Sequence, residues 1–186
     1  MVTLMQLWAP IILSAVLVFI ASSLVHMVIK WHAPDYKRLP NEDEVRAVMR
    51  KGNPAPGQYI TPWCGDMKDM KSPEMQQKFK EGPVGFFYIR PSGMGGMGAQ
   101  LGQWFIFNLV VSGFVACVLA RTTQSGAVYM QIFPVAATVA FLGYGAGSIP
   151  GGIWMGKPWI VVFKELVDGL LYGLLTAGAF GWLWPR

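Results

Sequence analysis

The chain has 186 residues, 53% hydrophobic and only 13% charged, with a mean hydropathy of +0.40 and a formal net charge of +5. That balance excludes a soluble domain with a polar surface and points to a surface made largely for lipid. The positive charge does not mark a nucleic-acid binder: residues 30–98 set eleven cations against eight acids, no base-reading motif is present, and no nucleic acid is expected.

The first apolar run, 7–29, contains no charged residue. It exceeds the ~20 residues needed to cross a hydrocarbon core and is too long for a signal core of ~7 to 15, so it reads as a retained span. Residues 30–98 follow as a loop insertion. Asn41 is a good N-cap and Glu44 stands where a capping box needs it, which predicts a helix over 42–51 ending before Gly52. Its apolar face, Val45, Val48 and Met49, is narrow, as in a short amphipathic helix. Ser72 and Pro73 start a second helix that stops at Gly82. Between them Gly52 to Gly57 is turn chemistry, and 84–89 is a short strand or an aromatic interfacial segment. The glycine-rich stretch 93–98 delivers the chain into the next run.

Three further apolar runs, 101–120, 132–153 and 160–184, complete the expectation: an all-α fold, a four-transmembrane-helix bundle with one extramembrane loop carrying short amphipathic helices. Pro134 and Pro150 lie near the ends of the third run, so no break within that span is expected. Cys64 and Cys117 fall in different environments and are not expected to form a disulfide. With four spans, thirteen of the fifteen Lys and Arg fall on the loop side, leaving Arg121 and Arg186 opposite. The positive-inside rule then places the loop in the cytoplasm and both termini outside, in a bacterial inner membrane.

Small residues recur every four positions in the later runs: Gly143, Gly147 and Gly151 in the third, Gly169, Gly173, Ala177 and Gly181 in the fourth. Such stripes let helix backbones approach closely where lipid gives no hydrophobic drive for association. They suit packing within the chain, against a second copy or against another membrane subunit. The polar residues inside or bordering the runs are His26, Lys30, Gln103, Asn108, Ser148, Lys164, Glu165 and Asp168, all placed by the four-span topology in the cytoplasmic half. Asp168 is one turn from Lys164 and is expected to pair with it, or with His26 or Lys30, since an unpaired acid there costs about 3 kcal/mol on insertion scales.

The chemistry open to these residues is limited. His26 and His32 are the only histidines and lie close together in sequence, which excludes a bis-His haem bridging two helices. Cys64, Met67, Met70, Met75, Met94 and Met97 are soft ligands of the kind Cu(I) prefers, but methionine is also ordinary packing material. Ser148, His26 and Asp168 could supply a hydrolase, although the sequence around Ser148 lacks a nucleophile motif. No metal, cofactor or catalytic residue is therefore expected, and the chain is not read as an enzyme.

Gly151-Gly152-Ile153-Trp154-Met155-Gly156-Lys157-Pro158-Trp159, with His26-Met27 and Trp31-His32, resembles a group of small four-span bacterial integral membrane proteins with no assigned activity. The resemblance implies the architecture alone. The functional expectation is an accessory or scaffold subunit that contacts the bilayer and binds other membrane subunits through glycine-lined helix faces and the aromatic loop. The alternative is a homo-oligomeric channel or a small-solute or proton transporter using the polar cluster.

Overall fold

The computed structural model describes residues 2–93 and 95–186, which divide into two compact units, Met1–Tyr36 with Gly96–Arg186, and Lys37–Gly95. The first unit is a helical bundle. Its opening helix α1 (Trp8–Ser23) follows a 3-10 turn, Leu4–Leu7, and runs into a π-helical turn, Leu24–Val28. After the second unit come α4 (Met97–Thr122), α5 (Tyr129–Tyr144), the short α6 (Ile149–Trp154) and α7 (Trp159–Trp182).

Three stretches are long and apolar enough to cross a membrane: Leu4–Val28, Met97–Thr122 and Tyr129–Trp154. Their apolar windows are 22%, 33% and 22% buried within the protein, so most of their surface is left for lipid. The protein is in this sense a multi-pass membrane protein. The expectation of four spans is corrected here. The fourth run forms a helix of 24 residues, long enough at 1.5 Å per residue, but Lys164, Glu165 and Asp168 in its first turns keep it out of the apolar class. The placement of both termini on one side rested on an even number of spans and loses that basis.

The polarity of α7 matches its position. It packs along both α1 and α5 and buries more residues than any other helix described, among them Val162, Tyr172, Thr176, Ala177 and Phe180. Leu7, Val115, Leu119, Ile132 and Ala136 join Ala177 and Phe180 in the apolar core. Between α1 and α4 the buried hydroxyls of Ser14 and Ser112 are 2.8 Å apart, and Trp104 Nε1 donates to Ser22 Oγ at 2.8 Å. Polar bonds of this kind hold helices together where burial in lipid gains nothing. At the far end Gly126 donates its N–H to the Pro185 carbonyl at 2.9 Å, and Trp184 Nε1 donates to the Gln124 carbonyl, also at 2.9 Å.

The glycines explain the closest contacts. A Cβ on Gly169 would stand 2.5 Å from Gly145 Cα, one on Gly173 would meet the Ala137 carbonyl at 3.1 Å, and one on Gly181 would strike the Tyr129 ring at 2.6 Å. The α7 stripe therefore lies on α5 of the same chain. Gly143 sits on the Val111 side chain of α4, and Gly151 against Lys157; a Cβ on Gly147 would meet nothing within 4 Å.

The third apolar run is not one continuous helix, contrary to expectation. It breaks after Tyr144, passes through Gly145 and a 3-10 turn at Ala146–Ser148, and resumes at Ile149 with Pro150 in the first turn. Proline lacks the N–H that a continuing helix needs, and the bare backbone of Gly145 is where α7 comes closest.

The second unit is not purely helical either. Helix α2 (Glu42–Gly52) and helix α3 (Pro73–Glu81) stand where the capping signals put them, and Ser72 Oγ accepts the Met75 N–H at 3.3 Å. At Asn41 the expected capping box does not form: its amide contacts Glu44 Oε2 at 3.4 Å and bonds no backbone N–H. Strands β1 (Gly57–Thr61) and β2 (Gly85–Ile89) pair antiparallel, Tyr59 opposite Phe87. The aromatic segment is thus a strand, and the all-α description is corrected to mostly helical.

Candidate functional site

The site lies in the bundle, where the chain after α1 folds back onto α7. The π turn widens the helix at Leu24–Val28 and presents His26, whose Nδ1 lies 3.0 Å from the Ser22 carbonyl. π turns recur at functional sites because the extra residue re-aims a side chain. Lys30 then adopts a left-handed conformation, φ 56°, and the Ala33 N–H bonds its carbonyl at 3.0 Å. This reversal and the 3-10 turn Ala33–Asp35 carry Trp31, His32 and Asp35 back against α7.

Two residues one turn apart on α7 receive them. Asp168 Oδ2 is 2.6 Å from His32 Nε2, and Lys164 Nζ is 2.5 Å from Asp35 Oδ1. His32 Nδ1 closes the chain at 2.9 Å from Asp35 Oδ2. Lys164 also donates to the Trp31 carbonyl at 3.1 Å and stands 5.4 Å from the centre of that indole. The imidazole thus lies between two carboxylates, one on each ring nitrogen, and Lys164 supplies a cation beside them. All four side chains are at most 15% exposed, so the pairing offsets a real desolvation cost. The hydrogen bond from Lys164 holds the Asp35 carboxyl below its ordinary value, against the opposing effect of burial and with help from His32. The His26 ring stacks on His32, centroids 4.8 Å apart and planes 20° from parallel.

Beside this network the turn after α1, α4, α7 and the Gly145 break line an open cavity of about 700 Å³. Its aromatic wall is Trp104, Tyr144 and Tyr172, whose rings meet edge to face or tilted at 5.7 to 6.4 Å. Its polar wall includes Ser22, His26, Gln100, Ser148, Glu165 and Asp168. Behind these walls the Tyr172 hydroxyl and Glu165 Oε2 are buried with no hydrogen-bond partner among the described residues. Lys157 pairs with the other Glu165 oxygen. An unsatisfied buried group costs about 1–3 kcal/mol, and natural folds retain few.

The polar residues singled out from sequence are only partly assembled. His26, Ser148, Glu165 and Asp168 share the cavity, and Lys164 belongs to the adjoining network. Lys30 and Gln103 are exposed and outside both. Asn108 is fully buried on α4 with both side-chain amide atoms unpartnered. The expected partner of Asp168 was Lys164, His26 or Lys30; the partner found is His32. Ser148 Oγ donates to the Gly145 carbonyl at 2.8 Å, and among the described residues no hydrogen bond joins it to His26, so no nucleophile triad is assembled. Of the soft ligands, Met94 lies outside the described residues, and Cys64 Sγ donates to the Asp66 carbonyl at 3.0 Å.

Sequence reasoning missed His32, Asp35, Trp104, Tyr144 and Tyr172. The available signal was the density of charge at 164–168 within an apolar run, which demanded partners from elsewhere in the chain.

No protein-family model, curated protein or solved structure matches this chain, so the resemblance to small four-span proteins stands only as far as three long apolar helices. The class that fold and site define is a multi-pass helical membrane protein with a buried ionic network beside a cavity.

Proposed function

We propose that the protein binds a small amphiphilic molecule within its bundle, one with an apolar body for the aromatic wall and an amine or hydroxyl head for the polar one. The observation that carries this reading is the cavity itself, with three aromatic rings, Trp104, Tyr144 and Tyr172, on one wall and His26, Ser148, Glu165 and Asp168 on the other. Its volume falls in the range of small-molecule sites, which are apolar clefts with a few convergent polar groups. A wall that carries the carboxylate residues Glu165 and Asp168 favours a ligand with a donor head, hence the amine or hydroxyl.

The α7 glycine stripe packs on α5 of the same chain, which favours this reading over one in which that stripe meets another subunit. Transport of the bound molecule is the natural extension, since the cavity is flanked by a broken helix of the kind that lines substrate sites in transporters.

Native mass spectrometry of the protein extracted from its own membrane in mild detergent tests the proposal. The expected spectrum carries an adduct of a few hundred daltons that is lost from Trp104→Ala and weakened in Tyr172→Ala. Co-migration of a different protein subunit with no small-molecule adduct would overturn the proposal and restore the accessory-subunit reading.

A further inference from the structure

We propose that His26, His32 and Asp168 form a binding site for a first-row divalent transition metal of the Zn²⁺ type. The three side chains each bring a ligand atom within 4.8 Å of the others. Tetrahedral zinc with bonds of ~2.0–2.2 Å holds its ligand atoms ~3.4 Å apart, so side-chain rotations of an ångström or so close the site around an ion. His26 is exposed and hydrogen-bonded only to its own helix, so a tilt of its ring out of the stack on His32 makes that movement.

The outer bonds carry the argument further than proximity does. Metal-ligating histidines almost always donate their second ring N–H to a carboxylate or a backbone carbonyl, which fixes the tautomer and leaves the other nitrogen for the ion. Both histidines here have that partner. His26 Nδ1 is committed to the Ser22 carbonyl at 3.0 Å, and His32 Nδ1 to Asp35 Oδ2 at 2.9 Å. Asp35 is itself held by Lys164, so the orientation of His32 is fixed two bonds out. Nε2 of each ring is left available to an ion, and that of His32 already lies against Asp168.

The ligand set selects the ion. Two imidazoles and one carboxylate are poor for Mg²⁺ and Ca²⁺, which take oxygen donors, and for Cu(I), which takes thiolate and thioether. They suit Zn²⁺, Co²⁺ or Fe²⁺, and three protein ligands leave one position open. His26 and Asp168 both line the cavity, so the open position faces it. The inference rests on the three ligands and their outer partners, independently of what occupies the cavity.

Full-length protein, purified in detergent with a histidine-free tag and stripped with a chelator, is titrated with Zn²⁺ by calorimetry and with Co²⁺ by visible absorption. The expected result is one ion per chain and a Co²⁺ spectrum of four- or five-coordinate intensity. His32→Ala and Asp168→Ala should each weaken binding at least ~100-fold, and Asp35→Asn, which touches no metal, by ~10–100-fold. Because Asp168 and His32 also hold the fold, His26→Ala is the decisive variant: it should stay folded by circular dichroism and still lose at least ~100-fold. Binding well below one equivalent, or an affinity unchanged in folded His26→Ala, would overturn the proposal. So would Zn²⁺ binding removed only by Cys64→Ser.

Discussion

The two halves of α7 put neighbouring residues to opposite uses. From Gly169 to Gly181 the helix offers small residues every fourth position and lies directly on α5, backbone against backbone at Gly169 and Gly173 and under the Tyr129 ring at Gly181. From Lys164 to Asp168, one turn earlier, it offers charges, and its partners come from the chain segment after α1. Packing in the first half is specified by what is missing from the side chains. In the second half it is specified by groups that cannot be left alone in a low dielectric.

Substitutions test this contrast. Gly169→Val should be the most damaging, costing at least about 4 kcal/mol in unfolding followed in mixed micelles, because a Cβ there meets backbone that cannot yield. Gly147→Ala, with open space at its Cβ, should change stability by less than about 1 kcal/mol; equal costs at the two sites would break the comparison. Asp168→Ala should cost about 3 kcal/mol in the same assay, the expected penalty for removing one partner of a buried ion pair. A loss below about 1 kcal/mol would mean that water already reaches His32 freely.

Tyr172→Phe should have the opposite sign. Deleting a buried hydroxyl that has no partner among the described residues should raise the stability of the protein by about 1 kcal/mol, measured by thermal unfolding, and leave the aromatic wall in place. The smallest effect belongs to a lysine and a carboxylate one turn apart in water. Lys78 and Glu74 on α3 are 2.6 Å apart but 52% and 80% exposed. The Lys78 hydrogen bond holds the Glu74 carboxyl below its ordinary 4.5, so its contribution is present above pH 4.5 and is lost as pH falls through the lowered value. In Lys78→Gln the Glu74 midpoint, followed by carbon NMR, should rise toward 4.5 with little change in stability.

Much of the fold is legible because hydropathy and capping are local signals. The long helices begin and end within a few residues of the apolar runs, and Ser72 with Pro73 marks α3 to the residue. Strand β1 carried no such mark: Gly57 to Thr61 follows a turn cluster and is half polar, and becomes a strand only through pairing with β2. The count of spans went wrong at α7, whose length is that of a span but whose charges are housed by protein. The site was legible as a group of polar residues, not as a geometry. What brings His32 to Asp168 is a reversal at Lys30, a residue type that rarely adopts positive φ, and no composition rule announces that turn.

The contact between Gly145 and Gly169 bears on the shape of the cavity. Tyr144 lies on one side of that point and Ser148 on the other, and both line the cavity. The bare contact is thus a keystone: the width of the cavity at this corner is set by the absence of two side chains, and any spacer placed between the backbones would displace the cavity wall along with the helix.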